Sequence, residues 1–175
     1  MYADLHRRFK YIDHPNVAVW TGTGLFVLLR RFAPERLIAL DHGMMSTLEG
    51  DELEEYVEFV TTNMDHRQQE LEMISSLLPA SARIDGTLND QYWFRQLPLA
   101  DYEAIECPVL VLHGEFDAAA PITHAEFVAK RIPNVDLRRL EADHLIEVGP
   151  DAEKAKQAIQ VFIDSIPASD EPMAQ

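Results

Sequence analysis

Two side chains carry the chemistry that this chain offers. Asp117 follows the apolar run Val109-Leu-Val-Leu112 and the turn-forming pair His113-Gly114. His144 lies in Leu140-Glu-Ala-Asp-His144-Leu, just past a second strand-like run, Val135 to Leu140. A carboxylate paired with an imidazole accepts from one ring nitrogen, fixes the tautomer and steadies the imidazolium that forms when the other nitrogen takes a proton. The two residues are 27 positions apart, room for one helix and one strand. Each has an ordinary alternative taken singly: aspartate closes turns and caps helices, and a lone histidine commonly caps a helix or sits on the surface. Their recurrence after two successive strands favours the acid–base reading. Asp41, after Leu37-Ile-Ala-Leu40, is a rival acid ranked behind Asp117.

The elements that must position this pair follow from hydrophobic pattern. Val109–Leu112 has no polar alternation and reads as a short strand buried on both faces of a parallel sheet. Ligands and chemistry in such sheets sit beyond the carboxyl ends of the strands. Val135–Leu140 alternates, and two earlier runs, Val17-Ala-Val-Trp20 and Leu37-Ile-Ala-Leu40, also read as strands, making four. Helices are predicted over 2–10, 25–32, 122–131 and 151–166, with Ala33-Pro34-Glu35 stopping the second. The order helix, strand, helix, strand describes a right-handed parallel crossover. Between them, Leu53, Tyr56, Val57 and Val60 mark an amphipathic helix over 51–63, and Leu71, Ile74, Leu77 and Leu78 a second over 65–78. Residues 79–100 read as irregular, with the aromatic cluster Tyr92-Trp93-Phe94 either packing a cap or lining a pocket, and 101–106 as a helical turn. The expected organisation is an α/β core over 1–43 and 101–167, a helical cap over 44–100, and a disordered acidic tail over 168–175.

This order of elements resembles the later part of an α/β hydrolase, a serine hydrolase or esterase-like family. Val109-Leu-Val-Leu-His-Gly-Glu-Phe-Asp117-Ala-Ala-Ala-Pro121 is similar to the family's acid-bearing strand and loop, and the segment from Ile132-Pro-Asn to Asp-His144-Leu to the one that carries its histidine. Phe32-Ala-Pro-Glu-Arg-Leu-Ile-Ala-Leu40 resembles the end of the helix behind the nucleophile and the strand after it. The resemblance implies an incomplete parallel sheet flanked by helices, with a helical cap insertion that selects the substrate. It implies Asp117 and His144 as acid and base in ester or amide hydrolysis of a small acyl substrate. Two features depart from the family. Its Gly-x-Ser-x-Gly nucleophile turn would fall at Ala18-Val-Trp20-Thr-Gly22, where Trp20 has no nucleophilic atom. Thr21 and Thr23 fit turn or cap positions better than a nucleophile's. The family's early strands and oxyanion loop are expected to have no counterpart here, which would remove an electrostatic contribution to the transition state. The expectation is therefore impaired hydrolysis; the alternative is a non-catalytic binding or partner-dependent protein on a hydrolase scaffold. Ser46, Ser75, Ser76 and Ser81 are the serines to inspect for a displaced nucleophile.

Composition narrows the partners. Thirty acidic against fifteen basic residues among 175 give a net charge of −15, a field that repels nucleic acid and anionic membrane surfaces. The single cysteine, Cys107, makes no internal disulfide and fits a reducing compartment. There is no apolar run of the ~20 residues that cross a bilayer, and the polar start of the chain lacks a secretory signal; a cytoplasmic location is expected. His6, His14, His42, His66, His113 and His124 show no metal-ligand spacing with one another or with Cys107. Thr21-Gly-Thr-Gly24 lacks the lysine and third glycine of a phosphate cradle. Neither a metal nor a cofactor is expected. The expected partners are a small-molecule substrate and a second copy of the chain, paired along an exposed sheet edge.

Overall fold

The computed structural model describes residues 15–166, without the side chains of 15–23, 80, 81 and 84. The expected helix at 2–10 and tail at 168–175 lie outside the described residues. In chain order the elements are α1 (Pro15–Phe32), α2 (Pro34–Met45), α3 (Gly50–Thr62), α4 (Met64–Ser76), a 3-10 turn (Ala80–Arg83), α5 (Ile84–Phe94) and a second 3-10 turn (Tyr102–Ala104). Then follow β1 (Val109–Gly114), α6 (Ile122–Ala129), β2 (Val135–Leu140) and α7 (Ala152–Ser165). The chain divides into two compact units. One comprises the described residues up to Leu37 together with Glu70–Pro98; the other comprises Ile38–Gln69 and the residues from Leu99 onward.

The first unit is helical, and the helices α1 and α2 replace the two early strands. Val17–Trp20 lies inside α1 and Leu37–Leu40 inside α2. A four-residue apolar run has no period of its own and belongs equally to a strand or to a buried helix turn. Pro15 and Pro34 each occupy the first helical position, where a missing N–H costs nothing because that donor has no intrahelical partner. Pro34-Glu35, expected to stop a helix, therefore also starts one, and Glu35 places a negative charge on its first turn. Arg30 and Arg31 close α1 with the opposite charge. Gly22 and Gly24 are absorbed within α1 at a cost of about 1 kcal/mol each. Trp20, Thr21 and Thr23 accordingly stand on a helix, and the strand-to-helix nucleophile turn expected at 18–22 does not exist. Residues 84–94, expected to be irregular, form α5, with Tyr92, Trp93 and Phe94 all exposed.

The second unit contains the sheet and both members of the candidate acid–base pair. β1 and β2 pair in parallel, from Val109 opposite Val135 to Gly114 opposite Leu140, joined by α6, which packs on both strands. Such a β–α–β crossover is the minimal parallel unit. The small core at its carboxyl end is Leu140, Ala142 and Ala155, with Leu112 and Ile146 against it. β1 is only half-buried along Val109–His113, short of the expected burial on both faces, since among the described residues β2 is its one hydrogen-bonded neighbour. Alternation places Tyr56 and Val60 of α3 in the interior as expected. Cys107 is exposed. No helix among the described residues is long and apolar enough to cross a membrane.

Candidate acid–base site

Past their carboxyl ends the two strands continue side by side. Glu115 N–H donates to Leu140 O (3.0 Å) and Phe116 N–H to Ala142 O (3.0 Å), so the two loops leave the sheet together. Gly114 permits this. A Cβ at that position would overlap the backbone oxygens of Ala142 and Asp143. The segment after α2 then runs antiparallel along the first loop: Thr47 N–H donates to Phe116 O (2.7 Å), Ala118 N–H to Met45 O (3.0 Å), and Ser46 bridges Asp117.

Held in this way, Asp117 uses both carboxylate oxygens. Oδ1 accepts from the amides of Ala119 (2.8 Å) and Ala120 (2.7 Å), the local turn that aspartate favours. Oδ2 accepts from His144 Nδ1 at 2.9 Å. One side chain thus closes the local turn and contacts an imidazole, through different atoms. His113 stands beside the same oxygen at 3.6 Å, but its Nε2–H donates to Ala120 O at 2.6 Å, so it braces the loop.

Burial separates the two partners: the Asp117 side chain is 5% exposed and that of His144 45%. A carboxylate only accepts, so Nδ1 of His144 carries the hydrogen, and in the neutral imidazole Nε2 keeps its lone pair. Nε2 meets no protein partner among the described residues. An imidazole in this state is a proton acceptor whose tautomer and orientation are fixed from behind, the arrangement a general base requires.

A second pair, missed at the level of sequence, lies immediately behind. His42 Nδ1 meets Asp143 Oδ2 at 2.6 Å, with both side chains fully buried. Asp143 Oδ1 accepts from Leu145 N–H (2.9 Å) and its own amide donates to Tyr56 Oη (3.3 Å). The Tyr56 ring stands edge-on to His42 at 5.1 Å. Ile38, His42 and Ser46 are buried at successive four-residue steps, which was the available signal for His42: a histidine on an apolar helical stripe needs a polar partner inside. Asp41, the rival acid, sits on α2 and not at a strand end.

Among the described side chains, none of the serines singled out is hydrogen-bonded to His144. Ser46 Oγ accepts from Leu48 N–H (3.1 Å). Ser75 and Ser76 bond to carbonyls of their own helix, Leu71 and Met73, and the side chain of Ser81 is outside the described set. Among the described residues no group of three or more His, Cys, Asp or Glu side chains is placed to hold a metal ion.

No family model matches this chain, and no curated protein does. Solved structures do. An α/β-hydrolase fold protein from Nakamurella multipartita superposes with a TM-score of 0.71 at 23% identity, over 81% of this chain and 50% of that one. A thermophilic esterase is matched over 77% of this chain and 47% of that one at 25% identity, with a TM-score of 0.43. The chain therefore has an α/β-hydrolase-type fold in partial form, and it spans half the length of the Nakamurella protein it matches.

Proposed function

We propose that this chain carries the acid–base arm of an α/β-hydrolase site for ester or amide cleavage of a small acyl substrate. His144 is the general base and Asp117 its orienting acid. The observation that carries this reading is the 2.9 Å bond from His144 Nδ1 to a buried, doubly anchored Asp117, with the imidazole nearly half exposed. His144 Nε2 takes the proton of the attacking hydroxyl or water as that oxygen bonds to the acyl carbon, and returns it to the departing alkoxide or amine. With no nucleophile turn among the described residues, water is the attacking group available to the chain alone, and turnover is slow. The net charge of −15 favours a neutral or hydrophobic acyl group over an anionic one.

Hydrolysis of p-nitrophenyl acetate tests the assignment. The expected outcome is slow turnover, abolished in His144→Ala and without covalent labelling by a fluorophosphonate. Equal rates in the native chain and His144→Ala would sink the hydrolytic reading and leave a non-catalytic binding protein on a hydrolase scaffold. Labelling of a serine would overturn the claim that water attacks.

A further inference from the structure

We propose that the buried His42–Asp143 pair is the positioning device for the His144 base. The inference rests on the general-base reading of His144 and adds to it the residue that sets the imidazole's place.

Asp143 Oδ1 accepts the amide of Leu145, two residues on. That is an Asx turn with His144 as its central residue. The carboxylate that closes the turn is the one whose other oxygen is held by His42, 101 residues away on α2. One side-chain rotamer therefore satisfies two bonds, and it cannot change without releasing both. The backbone of Asp143 is fixed as well: its amide is bonded to Tyr56 of α3, and its carbonyl oxygen lies against Gly114 at the end of β1. The residue before His144 is thus tied to α2, α3 and β1, while His144 itself makes a single bond, to Asp117. Asp117 fixes the tautomer; Asp143 fixes where the ring starts from.

Stability alone does not account for the pair. A buried ion pair or charged hydrogen bond commonly contributes no more than apolar residues of the same volume, and its best-attested use is to fix register. Here the register fixed is that of the loop bearing the base. Losing His42 frees the Asp143 carboxylate to rotate, opens the turn, and lets His144 drift from Asp117.

Proton NMR of the full chain, with ester turnover alongside, tests this. The native protein should show two strongly deshielded Nδ1 protons, one lost in His144→Ala and the other in any His42 variant. In His42→Leu the His144 resonance should shift upfield or broaden and turnover fall about tenfold or more, since a displacement near 1 Å can cost about a hundredfold. His42→Asn, whose amide nitrogen replaces Nδ1, should retain the His144 resonance and turnover within about twofold. A folded His42→Leu protein with unchanged resonance and turnover overturns the proposal. If that variant does not fold, Tyr56→Phe decides. It removes one oxygen from behind Asp143 and should move both readouts the same way by about twofold, and no movement overturns the proposal. Turnover independent of His144 would sink the hydrolytic reading, yet the resonances would still decide the positioning claim.

Discussion

The two histidine–aspartate pairs share one bond type, Nδ1 to Oδ2, and meet at consecutive residues, Asp143 and His144. They differ in what surrounds the bond. His42–Asp143 is sealed from water at both ends, whereas the second pair buries its acid and leaves its imidazole nearly half exposed. The imidazole of the first is wholly buried, whereas that of the second is nearly half open to solvent. Residue type and bond type thus do not distinguish a base from a brace. Exposure of the imidazole does.

That contrast predicts unequal energetic consequences for two similar truncations. Asp143→Ala leaves a buried histidine without its charge partner and opens the turn at His144, a loss of about 3–5 kcal/mol. Asp117→Ala costs about 1–2 kcal/mol, because His144 turns to water for its lost partner and only the turn amides of Ala119 and Ala120 go unmet. Urea denaturation of the two variants checks this. Equal losses would show that the sealed pair is not the stronger tether. Activity should run the opposite way for each unit of stability lost, since Asp117 acts directly on the base.

Gly114→Ala probes the point where both pairs depend on one close approach. The added methyl overlaps the carbonyl oxygens of Ala142 and Asp143, which are backbone atoms unable to swing aside. The loop must lift, at about 2–3 kcal/mol by the usual cost of overpacking. Both deshielded resonances should move together. Movement of only one would show that the two pairs are not coupled through this loop.

The exposed pair was legible in sequence and the sealed pair was not, for reasons that lie in the chain itself. β2 matches the predicted 135–140, and β1 extends the predicted 109–112 by the two residues His113 and Gly114. Asp117 and His144 follow directly from those strands because a parallel sheet delivers strand ends to one edge. α3, α6 and α7 were predicted to within two residues at either end. The helices α1 and α2 defeated the same logic. Val17–Trp20 and Leu37–Leu40 are short apolar runs flanked by glycine or proline, and such punctuation suits a strand end or a helix start equally well. His42 was lost with them. In the sequence it was weighed only for metal-ligand spacing; in the structure it shares a buried stripe with Ile38 and Ser46. Its partner Asp143, 101 positions away, becomes visible only when tertiary structure brings α2 to the His144 loop.

The smallest predicted effect concerns the other end of that loop. Glu141 N–H donates to Asp151 Oδ2 at 2.9 Å, and Lys154 Nζ lies 2.5 Å from Oδ1, so the start of the loop is pinned to the first turn of α7. Burial pushes the Asp151 carboxyl up, but the Glu141 amide and the Lys154 ammonium outweigh it and hold the group below its ordinary value. A carboxyl lowered by folding adds stability above its unfolded-state value, and that stability is lost as the pH falls through the folded-state value. Asp151→Asn keeps an acceptor for Glu141 and discards the charge. Lys154 is mostly exposed, so the loss at pH 7 should be only about 0.5–1 kcal/mol, and the variant and native stabilities should converge below the carboxylate range. A difference that stayed constant from neutral to acid pH would show that Asp151 acts through shape alone. Because the anchor at Glu141 precedes the Asp143 turn, the His144 resonance should be unmoved in Asp151→Asn. The positioning of the base then depends on its buried neighbour and not on the loop's attachment to the helix.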